Sequence, residues 1–168
     1  MQIDYQAAWR RTVRSFQELA DGCAPGGVNV SLEWKPTDPD ARYSVVPSTG
    51  AALLLAAEVG RANFGLTLDV GHLLAAGENP AASVAMAASA GRLFGLQLND
   101  AHGRLGAEDG LAFGSVNQGM ALELVRWLQR VGYEGPIYFD TFPKRQDPVR
   151  LGGLARGHCL RLGSWPAA

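Results

Sequence analysis

The sequence predicts an α/β fold with a parallel sheet, and three observations carry that expectation. Short apolar strand patterns recur four times at spacings of roughly 30 to 45 residues, the rhythm of βα units. Between them lie segments with helical periodicity and capping residues. Each strand pattern also closes on polar side chains able to do chemistry, as the outgoing ends of parallel strands do when they share a crevice.

Taken in order, Asp4 can cap a first helix in which Trp9, Val13, Phe16 and Ala20 make one apolar face, broken by the stretch from Gly22 to Gly27. Residues 28–33 read as the first strand, and a polar, Pro-rich loop runs from Pro36 to Pro47. Ser48 is placed to cap a second helix reaching about Val59, with Gly60 as its stop. Residues 64–69 are the second strand. Asn79 and Pro80 supply a cap and a first-turn proline for an Ala-rich helix ending near Gly91. Residues 93–98 are the third strand, followed by a Gly-rich loop to about Gln118. Met120, Leu124, Trp127, Leu128 and Val131 line one face of a fourth helix, which Gly132 stops. Residues 136–140 are the fourth strand. From Val149 onward Arg, Gly and Leu alternate without a clean helical period, so residues 149–168 are expected to be a poorly ordered, divergent tail after a domain of residues 1–148.

A chain of 168 residues can bury one sizeable core. Four βα units are half of the eight in a closed (β/α)8 barrel, which leaves a small open α/β domain or half of a barrel. Fifteen Lys and Arg against 16 Asp and Glu give a net charge of −1, which argues against a nucleic-acid binder. No apolar run approaches a membrane span and no secretion signal opens the chain. Cys23 and Cys159 have no metal or redox spacing and suit a reducing cytoplasm, the expected location. Charged residues are 18%, low enough to suggest that part of the surface is meant for burial against something else.

The strand ends read Leu32-Glu33-Trp34-Lys35, Leu68-Asp69-Val70-Gly71-His72, Gln97-Leu98-Asn99-Asp100 and Phe139-Asp140. A single Asp closing a strand is ordinarily a turn former or the cap of the next helix. Four consecutive strand ends with oxygen or imidazole donors are harder to dismiss as turn chemistry, and together they would suit Mn²⁺, Co²⁺ or Mg²⁺. His72, three residues after Asp69, sits in such a setting; His102 reads as a loop residue and His158 lies in the tail.

At these segments the sequence resembles the C-terminal half of the xylose isomerase-like TIM-barrel superfamily, closest to its L-rhamnose isomerase-like sugar isomerases. The carrying stretches are residues 31–36, 63–72, 97–100 and 137–143, with Glu-x-Lys followed by Asp-x-x-His as the specific part. The resemblance implies that the four strands are strands five to eight of the barrel. It implies a divalent metal, Mn²⁺ first, held by Glu33, Asp69 and Asp140. Lys35 then contacts substrate oxygens near C1 and C2, and His72 serves a second metal or the substrate. Gln97 occupies the place of a metal-binding histidine and would ligate more weakly through its carbonyl oxygen. Asp109 corresponds to the first member of an Asp-x-His or Asp-x-Asp pair whose second position is Leu111, which cannot ligate.

The activity implied is aldose–ketose isomerisation of a small sugar, with Lys35, His72, Glu33 and Asp140 as the catalytic set. The alternative is a truncated barrel remnant without catalysis. A sugar epimerase and an apurinic endonuclease share the fold; three histidines and a charge of −1 weigh against the endonuclease. A half-barrel would leave two open sheet edges, so the expected partner is a second copy or a missing N-terminal half.

Overall fold

Strands β1 (Val30–Glu33), β2 (Phe64–Asp69), β3 (Leu93–Gln97) and β4 (Ile137–Tyr138) form one sheet in the order β1-β2-β3-β4. Every pairing is parallel, with Ser31 opposite Gly65, Asp69 opposite Gln97 and Gln97 opposite Tyr138. This is the chain-order sheet that short crossovers require. The computed structural model describes residues 3–38, 40, 43–103 and 109–163.

The helices are α1 (Tyr5–Cys23), α2 (Thr49–Val59), α3 (Val70–Ala75), α4 (Pro80–Ser89), α5 (Gln118–Arg130) and α6 (Pro148–Gly163), with a 3-10 turn at Ala24–Gly26. Their starts follow the local chemistry read from sequence. Asp4 accepts from the Ala7 N–H, Ser48 from Ala51, and Asn79 from Ala81 and Ala82. Gly60 closes α2 at φ +63°, a left-handed conformation that glycine adopts without a Cβ penalty.

Alternation along the strands sorts side chains to two faces. Phe64, Leu66, Leu68, Leu96 and Leu98 enter the core with Leu55, Val59, Val84 and Leu124 from the helices. Phe16 of α1 meets Phe64 with ring centroids 4.9 Å apart. The opposite face carries small and polar groups together with the Phe94 ring. The Ser31 and Thr67 hydroxyls are bonded across it at 2.7 Å, the Phe94 ring lies over Gly65, and Thr67 lies over Gly95. Helices therefore cover one face of the sheet, and the other belongs to the strand-end polar groups.

Three expectations are corrected. The first and fourth strands are shorter than 28–33 and 136–140: Val28 is exposed, and only two residues of the fourth pair with β3. A short helix, α3, follows β2 directly; its six residues are too few to show a period in the sequence. The segment expected to be a poorly ordered tail is helical from Pro148 to Gly163. There the Asp147 carboxylate accepts from Val149 and Arg150, Pro148 fits the first turn, and Ala155 is buried. Residues 164–168 and the His158 side chain lie outside the described residues. Among the described residues no helix is long and apolar enough to cross a membrane.

Candidate functional site

Asp69 is the last residue of β2 and the cap of α3, accepting from the His72 N–H at 2.9 Å. One residue thus fixes both its own carboxylate and the imidazole one turn further on. Glu33 ends β1 on the neighbouring strand, and Lys35 follows two residues later. Lys35 Nζ is 2.6 Å from His72 Nε2 and 3.5 Å from Glu33 Oε1. His72 Nδ1 faces the carboxylates, 3.5 Å from Glu33 Oε1 and 3.8 Å from Asp69 Oδ1.

Among the described residues, Glu33, Asp69 and His72 form one group in which a donor atom from each lies within 4.8 Å of the others. Asp69 and His72 are buried, and Glu33 is half-buried at the rim. Burial pushes the Asp69 carboxyl above its ordinary pKa. His72, its backbone N–H and the Asn99 amide pull the other way, while the Asp140 charge adds to the upward shift. A buried carboxylate held against its desolvation cost is the kind of group a cation would relieve. Two carboxylates and an imidazole converging at this distance fit a divalent ion.

Two further residues surround that group. Gln97, opposite Asp69 in the sheet, donates from Nε2 to Glu33 Oε2 at 3.1 Å. Its Oε1 is buried with no hydrogen-bond partner, an acceptor left for a cation or a ligand hydroxyl. Asp140 follows β4 and lines a cavity of about 10 Å³ with Asp69, His72, Asn99, Gly110 and Phe142, roughly the room of one water-sized group. Asp109 stands apart from the three-residue group: its Oδ2 accepts from the His102 N–H at 2.8 Å.

Sequence reasoning gives Asn99 and Asp100 no role of their own, and both matter here. Asn99 donates from Nδ2 to both Asp69 oxygens at 3.2 and 3.1 Å, and its Oδ1 accepts from Gly71 N–H. It clamps the turn from β2 into α3. Asp100 is fully buried and accepts from the N–H groups of Ala101, Val116 and Asn117 and from the Asn117 side chain. The available signal was the run Gln97-Leu98-Asn99-Asp100, but alternation alone does not show which strand each amide reaches.

A parallel sheet backed by helices, with a metal-competent group at its outgoing edge, is the βα architecture found in TIM barrels. The chain belongs to the xylose isomerase-like TIM barrel family, which it matches over residues 2–156. It is 37% identical to a xylose isomerase of Thermus thermophilus over 156 residues, 91% of this chain and 39% of that protein. A xylose isomerase domain protein from Alicyclobacillus acidocaldarius superimposes with a TM-score of 0.76 at 21% identity, covering 98% of this chain and 61% of the other. A D-allulose 3-epimerase from Methylomonas sp., crystallised with D-allulose, has a TM-score of 0.63 and 25% identity, covering 90% of this chain and 50% of that one. The chain spans about two fifths of the length of the curated relatives it matches.

Proposed function

We propose that the chain supplies the metal-holding half of a sugar isomerase active site that interconverts an aldose and a ketose, its strands taking the places of strands five to eight. The observation that carries this reading is the convergence of Glu33, Asp69 and His72 donor atoms within 4.8 Å beside the Lys35 ammonium. A divalent ion held there, Mn²⁺ by preference, would act as a Lewis acid on two neighbouring sugar oxygens. The chain's own residues do the rest. Asn99 holds Asp69, Gln97 holds Glu33, and Lys35 brings positive charge to the place where a substrate oxygen gains negative charge. Asp140 faces the same cavity as a further ligand, with Gln97 Oε1 beside it as a weak one. Asp109, adjoining Gly110 of that cavity, is the outermost member of the set. L-rhamnose isomerase-like substrate choice, a cytoplasmic setting and a partner half-barrel complete the reading.

A second reading is epimerisation, favoured by the likeness to the 3-epimerase. Glu33 and Asp140 lie at the ends of the two outermost strands, so two carboxylates approach a substrate from different sides. One takes a proton from carbon and the other returns it. Running the reaction in D₂O separates the two, since proton relay through solvent-exchanging carboxylates labels the product carbon and an internal hydride shift does not.

The test of function is an NMR assay of D-xylose, L-rhamnose and D-allulose with Mn²⁺, on the chain alone and with the first half of a related barrel added. The expected result is little turnover alone, a gain on addition, and loss of that gain in Lys35→Met. No turnover in either arrangement supports the alternative of an inactive remnant. A monodisperse monomer turning over at ordinary rates of ~1–10³ s⁻¹ contradicts the need for a partner half.

A further inference from the structure

Asn99 and Asp69 are both buried, and the way they meet is fixed from two directions. Asn99 Oδ1 accepts from the Gly71 N–H, so the amide cannot turn over without losing that bond, and Nδ2 is the atom presented to Asp69. Nδ2 lies 3.2 Å from Asp69 Oδ1 and 3.1 Å from Oδ2. These near-equal distances put the amide nitrogen midway between the two oxygens, where a chelating cation would otherwise sit. Oδ1 also accepts from the His72 N–H at 2.9 Å. A carboxylate offers about four acceptor positions. Among the described residues these donors take the facing position on each oxygen and a second one on Oδ1, which leaves the open position on Oδ2. Gly71 completes the arrangement, since a Cβ there would meet Asn99 Oδ1 at 3.1 Å, Nδ2 at 3.2 Å and Asp69 Oδ1 at 3.2 Å.

Resting on the metal-holding part of the reading above, we propose that Asn99 is a positioning residue that sets the choice of cation. It does so by closing the chelating position on Asp69 and confining a bound ion to a single oxygen of that carboxylate. Ca²⁺ gathers about six to eight oxygen ligands and often takes both oxygens of a carboxylate. Smaller ions that keep an octahedral shell, Mg²⁺ and Mn²⁺ among them, need no chelating carboxylate. With one Asp69 oxygen closed to it, the group offers Ca²⁺ too few donors. Single oxygens from Asp69 and Glu33 beside the His72 imidazole suit Mn²⁺. Asn99 acts on the ion only through Asp69, and Gly71 acts only by leaving room for Asn99.

Calorimetry with Mn²⁺ and with Ca²⁺ on the full chain gives the ratio of the two affinities, which a general loosening of the site would leave unchanged. Wild type should bind Mn²⁺ more tightly than Ca²⁺. Asn99→Ala should weaken Mn²⁺ about 10- to 100-fold, the usual effect of losing a residue that orients a metal ligand. Ca²⁺ should be spared, so the ratio falls by at least about tenfold. Gly71→Ala should shift the ratio the same way without lowering the urea midpoint, because alanine suits a helix better than glycine. That variant decides the matter if Asn99→Ala does not fold. An unchanged ratio in the folded variants, or a wild type that prefers Ca²⁺, overturns the selectivity role and leaves the metal centre standing. A wild type that binds neither ion overturns the metal-holding reading itself, and the proposal with it.

Discussion

Asp69 carries two duties with one carboxylate, capping α3 and facing the imidazole that the cap positions. Its pKa is raised chiefly by burial, so the folded state keeps a proton that the unfolded chain has already lost. The stability contributed by that proton is full below the unfolded pKa of about 3.9 and is lost as pH rises through the folded value. Urea unfolding of metal-free protein should therefore show wild type losing stability relative to Asp69→Asn as pH climbs from about 4. A constant difference between the two across that range would mean the carboxylate is not desolvated. At this scale the site was half legible. Asp69 and His72 declare themselves by a spacing of three, a local relation. Asn99 reaches Asp69 only because β3 pairs with β2 in one register, and no local pattern encodes that contact.

Helix α5 shows an element depending on another for its start. Its own cap residue, Asn117, makes no side-chain cap bond; Asp100, from the end of β3, receives the Val116 and Asn117 N–H groups instead. Asp100→Ala would take the acceptor from those part-buried donors and should cost about 1–3 kcal/mol, read as a lower urea midpoint. A loss under about 0.5 kcal/mol, the size of an ordinary surface change, would show the loop holding itself. The helices whose caps are local, α1, α2 and α4, were legible from Asp4, Ser48 with Gly60, and Asn79-Pro80. The last helix was not, because its glycines and arginines blur the period, although Asp147-Pro148 is a cap and first-turn pair of the same kind. The fourth strand shrank because nothing lies beyond it to pair with among the described residues.

For the whole molecule, four parallel strands in chain order leave β1 and β4 each with an unpaired edge. On β4, Ile137 is 42% and Tyr138 57% exposed, an apolar edge of the kind that recruits further strands. Sedimentation velocity should show an average mass above that of one chain, rising with concentration; a monomer at every concentration would contradict it. The βα rhythm was legible because each unit punctuates itself with caps and turns. Which four of a barrel's eight positions these units take was read only through the family resemblance of the strand-end residues, because successive βα units are built alike. Among the described residues Glu33, Asp69 and His72 bring donor atoms within 4.8 Å of one another, and Asp109 lies to one side on the His102 N–H.

The central claim is that Glu33, Asp69 and His72 hold a divalent cation, and Mn²⁺ calorimetry on wild type and Asp69→Asn tests it most directly. One Mn²⁺ per chain should bind the wild type, and the Asn variant should lose that binding, since it removes the charge at the buried centre of the group. Equal affinity in the two proteins would reduce these carboxylates to strand-end caps.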